Sequence, residues 1–346
     1  MPLQVSALSR LHHLITYLET HSHESVIDSD THITDRRQLS EFQLHKLGRS
    51  ENYYHGRTIT AEELLAEMKM SGVDMSLCWQ NPAATAYGTD RENNFKALLA
   101  ANRYVSESAD AYPSQIIPAG WTDPKALGLE SALRLVEICV LEFGFPLVKM
   151  NPAQNEYPID SPEVLTVLDR IVELGAVPAF HFGADTIYTP AEGLRKLAQR
   201  HPDHPVVAVH MGGGGAGYLQ AEKLYSEARD VGLSCPNIHF PLSAKRECHM
   251  ESDLIAYQSA GPPFSNNLSC GSDAPYGRQA WNFGGFRLMF EGLLNGKAHT
   301  DRRLQQHPAL FSEESVAGYL GGNIAAVVVK ACRTILKIHD LETTTP

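Results

Sequence analysis

The chain has 346 residues, 43% of them hydrophobic and 20% charged, so it can bury a large core as one α/β domain or as two smaller ones. Its formal net charge of -11 is spread without long runs of one sign, which argues against a nucleic-acid partner. Six scattered cysteines form no CxxC pair, so they indicate buried thiols in a reducing compartment. We find no signal peptide and no run that we expect to span a bilayer, which predicts a cytoplasmic protein without a membrane partner.

Residues 1–24 have the apolar spacing of a helix and are predicted to form an N-terminal helical extension. Eight short apolar runs follow, and from the third onward they recur about every thirty residues, the length of one βα unit. The runs lie near residues 27, 77, 117, 148, 179, 208, 239 and 270. Helical patterns lie between them; one begins with Ser161 as N-cap and Pro162 at the first helical position, and stops at Gly175. This order predicts a single-domain (β/α)8 TIM barrel over 25–335 and a C-terminal tail over 336–346.

An open doubly wound sheet is the alternative architecture, because it also alternates strands with helices. A glycine-rich phosphate loop after the first strand would favour that sheet, and the segment "DSDTHITD" does not resemble one. The polar segment 36–58, which contains three aromatic residues, is predicted to be a lid-like insertion after strand 1. A plain surface excursion explains it equally well.

Ionisable side chains end several predicted strands, where the active site of a barrel lies. On a regular strand, Asp28, Asp30 and His32 point to the same face. Imidazole and carboxylate groups that converge at one mouth are suited to a divalent ion such as Zn, Mn or Fe. The side chains at or just after strand ends are Asp30, His32, Lys149, His181, His210 and Asp273.

Several motifs, taken in order, resemble the amidohydrolase superfamily. "IDSDTH" resembles an I-D-x-H-x-H strand, with Asp30 in place of the first histidine. The other matching segments are "VKMNPAQNEYPIDSP", "PAFHFG", "VVAVHMGGG", "CGSDAPYG" and "GYLGGNIAAVV". Within the superfamily, the chain resembles the amidohydrolase-related branch that includes aminocarboxymuconate semialdehyde decarboxylase and several aromatic acid decarboxylases.

The resemblance implies one divalent ion held by Asp30, His32, His181 and Asp273, with Asp273 and His210 as the catalytic residues. A carboxylate at position 30 favours Mn or Fe over Zn, and related decarboxylases use a carboxylate-x-His pair there. The resemblance also implies a small-molecule substrate, and it is compatible with a homo-oligomer.

Substrate contacts are expected around the strand ends. Lys149 is predicted to bind a substrate carboxylate or to support the site; a carboxylated lysine that bridges two metals is the alternative. Arg278 and Arg246 could bind a carboxylate through paired hydrogen bonds. Four aromatic residues are candidates to wall a planar ligand: Trp79, Trp121, Tyr157 and Tyr276. The segment "HMGGGGAGY" also suggests an anion-binding loop, but a close approach to the substrate would explain its glycines as well.

Three functions follow from these residues. The leading hypothesis is a metal-dependent hydrolase, in which metal-activated water attacks an amide, lactone or ester-type carbonyl. The alternative is a metal-dependent, non-oxidative decarboxylase or lyase of an aromatic or unsaturated carboxylic acid, in which a protonated Asp273 delivers a proton to carbon. The second alternative is a barrel without metal that acts as a binding protein.

Overall fold

Parallel strands follow one another in chain order. The computed structural model describes residues 2–21, 24–39, 41, 58–183, 187–214 and 222–343. The strands in these ranges are β1 (Ile27–Ile33), β2 (Met75–Gln80), β3 (Ile116–Pro118), β4 (Gly120–Trp121), β5 (Leu147–Met150), β6 (Val177–His181), β7 (Val206–Val209), β8 (Ile238–Leu242) and β9 (Leu268–Cys270). Since β3 and β4 are separated by one residue, all eight predicted strand positions are confirmed.

Hydrogen bonds close the strands into a barrel. One sheet has the order β1-β2-β3 and the other runs from β4 to β9, with all pairs parallel. Ala119 N donates to Cys78 O at 3.0 Å and joins the two sheets at the third strand position. At the other junction, Asp273 N donates to Asp30 O at 2.9 Å and His32 N donates to Ala274 O at 2.7 Å. These last two bonds form the seam between the first and last strands, which excludes the open doubly wound sheet.

Helices cover the barrel. They are α1 (Val5–His21), α2 (Ala61–Ser71), α3 (Arg91–Ala111), α4 (Pro124–Leu127), α5 (Leu129–Glu137), α6 (Pro162–Glu173), α7 (Ala191–Arg200), α8 (Glu222–Ser234), α9 (Glu247–Ala260), α10 (Gln279–Leu294), α11 (Arg303–Gln306), α12 (Glu313–Ala317) and α13 (Asn323–Thr343). Short 3-10 helices span Arg36–Gln38 and Phe264–Asn266, and π-helices span Ile138–Glu142 and Gly318–Gly322. The predicted start of α6 is confirmed, because the Ser161 side chain accepts from Val164 N.

The terminal helices pack on each other and on the barrel. Helix α1 buries Leu11, Leu14 and Leu18, and it contacts α13, which also contacts β1 and β9. By length and mean hydropathy, 1.3, the stretch Glu313–His339 could cross a membrane, which the sequence analysis did not anticipate. However, 56% of its most apolar window is buried inside the protein. The packing therefore identifies this stretch as a core helix. Of the predicted lid, only 36–39, 41 and 58 belong to the described residues.

A bulge in β1 breaks the regular alternation of its side chains. The pairing with β2 shifts between Asp28 and Thr31, so β1 has one more residue here than its partner. Asp28 accepts hydrogen bonds from Ser272 and from Gln279 at the start of α10, whereas Asp30 contacts residues inside the barrel. The prediction that Asp28 shares a face with Asp30 was therefore wrong. Burial raises the pKa of Asp28 to about 7, although these hydrogen bonds oppose the rise.

A buried histidine links three strands inside the barrel. His239 Nε2 lies 2.9 Å from Ser269 Oγ, which in turn donates to Ser29 Oγ at 3.0 Å. Because a serine hydroxyl has a single proton, Ser269 must accept from His239, whose Nε2 therefore carries a proton. Burial lowers the pKa of His239 to about 3, so this side chain is neutral in the folded protein at pH 7.

We expect His239 to make the folded protein sensitive to acid. Between pH 6.5 and 3 only the unfolded chain protonates this residue, so the free energy of unfolding falls as pH falls, by up to about 1.4 kcal/mol per pH unit. The variant His239→Gln should show a flatter dependence over this range, measured by urea unfolding at several pH values. Equal slopes for both proteins would contradict the prediction.

Candidate active site

Two strand ends bring three predicted ligands together. Asp30 and His32 lie on β1, and Asp273 follows β9 across the seam. One donor atom from each residue lies within 4.8 Å of the other two. Among the described residues, no other cluster of three or more His, Cys, Asp or Glu side chains is this close. His32 Nε2 is 3.5 Å from Asp273 Oδ1 and 3.8 Å from Asp30 Oδ1. We call Asp30, His32 and Asp273 the acidic triad.

The tautomer of His32 suits a metal ligand. Its Nδ1 lies 2.7 Å from Gln80 O, and because a carbonyl can only accept, Nδ1 carries the proton. The Nε2 lone pair therefore points toward the two carboxylates. A histidine ligand held through its other ring nitrogen is the usual arrangement in metal sites. The donors of the acidic triad, one imidazole nitrogen and two carboxylates, fit a divalent ion that prefers nitrogen and oxygen ligands.

Asp30 is ionised although it is fully buried. Burial raises its pKa, but Lys149 and then His210 and His32 outweigh burial, so the pKa lies well below its ordinary value. Lys149 Nζ is 3.5 Å from Asp30 Oδ1, and Ser243 Oγ donates to Asp30 Oδ2 at 2.7 Å. The two oxygens of this carboxylate thus have different partners.

Lys149 is a buried cation beside the triad. Its Nζ lies 5.1 Å from the ring centre of Trp79 and 5.2 Å from that of Trp121. Such contacts with aromatic faces stabilise a cation that has left water. Lys149 lines the cavity, so it places a positive charge at the cavity wall.

Two further histidines lie beside the triad. The rings of His181 and His210 are 4.8 Å apart, edge to face, and His210 Nδ1 is 2.8 Å from Ser243 Oγ. Burial lowers the pKa of His210 to about 4, so it is neutral at pH 7. His181 is outside the acidic triad, so the structure brings together three of the four predicted metal ligands.

The backbone is strained at this end of the barrel. Five residues other than glycine have a positive φ among the described residues. Four of them lie at this end of the barrel: His210 (79°), Met211 (47°), Ala244 (46°) and Asp273 (58°). Such conformations persist only where the surrounding structure enforces them, and they are frequent at active sites.

A cavity of about 1040 Å³ opens over the triad. Of the predicted residues it is lined by His32, Lys149, His181, His210, Asp273, Tyr276, Arg278, Arg246 and Trp121. Tyr276 stands edge-on to His32 with ring centres 5.6 Å apart, and its hydroxyl donates to Asn81 Oδ1 at 2.6 Å. Arg278 lies over the exposed ring of Trp281, at 5.3 Å from its centre.

Two residues that were predicted to contact the substrate lie outside the cavity lining. Trp79 is fully buried against Lys149, and Tyr157 is buried near Asp123; burial, and then the charge of Asp123, raises the pKa of Tyr157. Neither residue lines the cavity, so neither can wall a ligand there. Trp79 lies within β2 with its ring against Lys149, and Tyr157 lies in the segment after β5, so a place near a strand end brings neither ring to the cavity.

Comparison with known proteins identifies the family. The Amidohydrolase family model (Amidohydro_2) matches residues 27–327. The chain is an amidohydrolase-family protein. No curated protein matches it.

Solved structures similar to this amidohydrolase-family protein are distant in sequence. The 2,6-dihydroxybenzoate decarboxylase from Rhizobium has a TM-score of 0.63 at 13% identity, over 88% of this chain and 98% of its own. The 5-carboxyvanillate decarboxylase from Novosphingobium aromaticivorans is complexed with manganese and 4-hydroxy-3-methoxy-5-nitrobenzoic acid. Its TM-score is 0.63 at 14% identity, and the match covers 89% of this chain and 97% of that one. A dihydroxybenzoic acid decarboxylase from Polaromonas, with bound manganese and 2-nitroresorcinol, has a TM-score of 0.60 at 14% identity. The match covers 88% of this chain and 96% of that one. At these identities the likeness establishes the TIM-barrel fold.

The sequence analysis missed two polar residues after β8 in this amidohydrolase-family protein. Ser243 bonds to both His210 and Asp30. Lys245 lines the cavity, and its buried Nζ pairs with Asp253 at 2.5 Å. Ser243 directly follows the apolar run "NIHFPL" and Lys245 lies just beyond it, so the strand-end rule that identified His210 would also have found them.

The glycines after His210 serve packing within the protein. Gly212 N donates to Phe182 O, Gly213 N to His210 O and Gly214 N to Ala244 O, at 2.9, 2.9 and 2.7 Å. Amides engaged in this way cannot bind an anion, so the structure excludes an anion-binding loop at 212–214. Residues 215–218 of that motif lie outside the described ranges.

We expect Gly213→Ala to destabilise this amidohydrolase-family protein by about 1–3 kcal/mol. A Cβ at this position would lie 2.4 Å from Ala244 O, a backbone atom that cannot move away freely. Gly284→Ala on α10 is the control, because nothing lies within 4 Å and alanine favours a helix by about 0.5–1 kcal/mol. Thermal melts of both variants test the prediction; equal melting temperatures would contradict it.

Proposed function

We propose that this protein is a metal-dependent, non-oxidative decarboxylase of an aromatic or unsaturated carboxylic acid. The observation that carries the proposal is the acidic triad beside the buried cation of Lys149, with His32, Asp273 and Lys149 lining one cavity. The similar decarboxylase structures support it, and two of them contain manganese. We therefore favour the decarboxylase, which was the alternative in the sequence analysis, over the hydrolase, which was the leading hypothesis there.

The triad is the proposed ion site, with manganese as the proposed ion and His181 as the proposed fourth ligand. An ion held by these residues would supply Lewis acidity toward oxygen atoms of the substrate. His32 contributes its Nε2, which Gln80 fixes in the acceptor tautomer. Asp30 would offer Oδ1, the oxygen that lies 3.8 Å from His32 Nε2, whereas Oδ2 accepts a hydrogen bond from Ser243.

The protein's own groups carry out the proton chemistry. Lys149 attracts and orients the substrate carboxylate, and His210 accepts a hydrogen bond from a substrate hydroxyl. Asp273, in its protonated form, delivers its proton to the carbon that bears the carboxylate. The bond from this carbon to the carboxylate then breaks, its electron pair restores the ring, and carbon dioxide leaves. Asp273 remains as a carboxylate and regains its proton from solvent.

A substrate screen tests the reaction class. Manganese-loaded protein is incubated with hydroxybenzoates, lactones and amides, and carbon dioxide and acid are measured. In D2O, we expect carbon dioxide together with one deuterium at the ring carbon that carried the carboxylate. Acid release from a lactone or amide without carbon dioxide would overturn the decarboxylase in favour of the hydrolase. A protein that takes up no metal and turns over nothing would instead support the binding protein.

The proposed setting is the reducing cytoplasm, and the proposed partner is a small carboxylic acid. All six cysteines are free, and five of them are buried. Free thiols are typical of a reducing compartment, which supports this location.

A further inference from the structure

A chain of hydrogen bonds connects His210 to Asp30 through Ser243. His210 Nδ1 lies 2.8 Å from Ser243 Oγ, and Ser243 Oγ donates to Asp30 Oδ2 at 2.7 Å. All three residues are buried, with at most 3% of their surface exposed. Water therefore has little access to these groups, and each hydrogen bond has a defined partner.

The proton positions in this chain are determined by the donors available. Asp30 forms an ion pair with Lys149 at 3.5 Å, and a carboxylate in such a pair can only accept hydrogen bonds. The single proton of Ser243 therefore goes to Asp30 Oδ2, and Ser243 Oγ must accept from its other partner. That partner is His210 Nδ1, which accordingly carries the proton. A neutral His210 then has its lone pair on Nε2.

We infer that Ser243 is a positioning residue that holds His210 as its Nδ1–H tautomer and leaves Nε2 as the acceptor for substrate. Because His210 lines the cavity, the acceptor nitrogen is the one remaining for the ligand. A catalytic histidine is often oriented by a carboxylate that bonds to it directly. Here the hydroxyl of Ser243 bonds to His210, and the carboxylate of Asp30 in turn bonds to that hydroxyl.

Ser243 also selects which oxygen of Asp30 faces the ion. Since Oδ2 accepts from Ser243, Oδ1 is the oxygen that lies 3.8 Å from His32 Nε2 and 3.5 Å from Lys149 Nζ. Close packing keeps this arrangement in place: a Cβ on Gly271 would lie 3.3 Å from the Cβ atoms of both Asp30 and Ser243. One hydroxyl thus orients both the histidine and the carboxylate.

Nitrogen NMR of the metal-free protein tests the tautomer without any substrate. In protein labelled with 15N-histidine, His210 Nδ1 should have the shift of a protonated ring nitrogen and Nε2 that of an unprotonated one; His210→Asn assigns the signals. In Ser243→Ala, we expect both shifts to move toward the average of two tautomers. An unchanged Nδ1–H pattern in Ser243→Ala would overturn the inference.

Kinetics test the catalytic consequence, which rests on the proposed decarboxylation. We expect Ser243→Ala to lower kcat roughly 10- to 100-fold with little change in KM, as is usual for groups that orient a ligand or a catalytic residue. Ser269→Ala is the matched control, because it removes a buried hydroxyl from His239 away from the cavity, and kcat should stay within about two-fold. A normal kcat in Ser243→Ala would overturn the catalytic role. If no substrate is decarboxylated, the NMR result still decides the tautomer, so the two failures are distinguishable.

Discussion

We expect Asp273→Asn to keep the fold and lose about 10²- to 10⁴-fold in the rate of decarboxylation. In the proposed mechanism this side chain is both an ion ligand and the group that gives its proton to carbon; an amide is only a neutral, weaker ligand and has no acidic proton to give. Its backbone N–H still closes the seam, because the substitution leaves the main chain unchanged. The measurements are carbon dioxide release, metal content by mass spectrometry and a thermal melt.

The control for this variant is Asp160→Asn, which removes a carboxylate that pairs with Lys196 on the surface at 2.7 Å. This change should leave the rate and the metal content unaltered. If Asp273→Asn decarboxylates at the wild-type rate, Asp273 is not the proton donor. If it loses metal and activity, and added manganese restores the wild-type rate, its role is limited to holding the ion.

The Asp30–Lys149 pair predicts a large non-additive effect on stability. Lys149→Met leaves a buried carboxylate without its main cation, and Asp30→Asn leaves a buried ammonium without its anion. Removing one partner of such a pair is destabilising by about 3–5 kcal/mol, whereas removing both is often neutral. We therefore expect the double variant Asp30→Asn/Lys149→Met to be more stable than either single variant in metal-free urea unfolding.

Manganese should distinguish the two single variants. Lys149 Nζ and a bound ion would both lie next to Asp30 Oδ1, so the ion should stabilise Lys149→Met more than the wild type and Asp30→Asn hardly at all. A double-mutant cycle on the exposed Lys196–Asp160 pair is the control and should give about 1 kcal/mol or less. Additive losses at Asp30 and Lys149, with equal stabilisation by manganese, would contradict both expectations.

The fold was predictable because its signals are local and repeated. Each predicted strand is a short apolar run bounded by glycine, proline or asparagine, and each intervening helix has an apolar face. The spacing of about thirty residues favoured a barrel, and parallel pairing in chain order follows from it. The sequence does not show that the apolar stretch Glu313–His339 is a core helix, because its burial depends on contacts with α1 and β1, which are distant in sequence.

The site was predictable where a side chain ends a regular strand. Asp30, His32 and Asp273 meet as the strand-end rule and the family resemblance predicted. Asp28 was misassigned because a one-residue bulge changes the face of a strand, and no residue in "VIDSDTHI" signals that bulge. Trp79 was misassigned because its ring, although on β2, packs against Lys149 outside the cavity lining; Tyr157 was misassigned because the path of the chain beyond a strand depends on tertiary packing.

The seam of the barrel has a consequence for how the protein unfolds. The bonds that join the first and last strands come from the backbones of Asp30, His32, Asp273 and Ala274, and three of these residues supply the side chains of the acidic triad. An ion at the triad would therefore act as a cross-link between the two ends of the sheet. Opening the barrel between β1 and β9 would require release of the ion, so metal release and the first opening of the barrel would be one event.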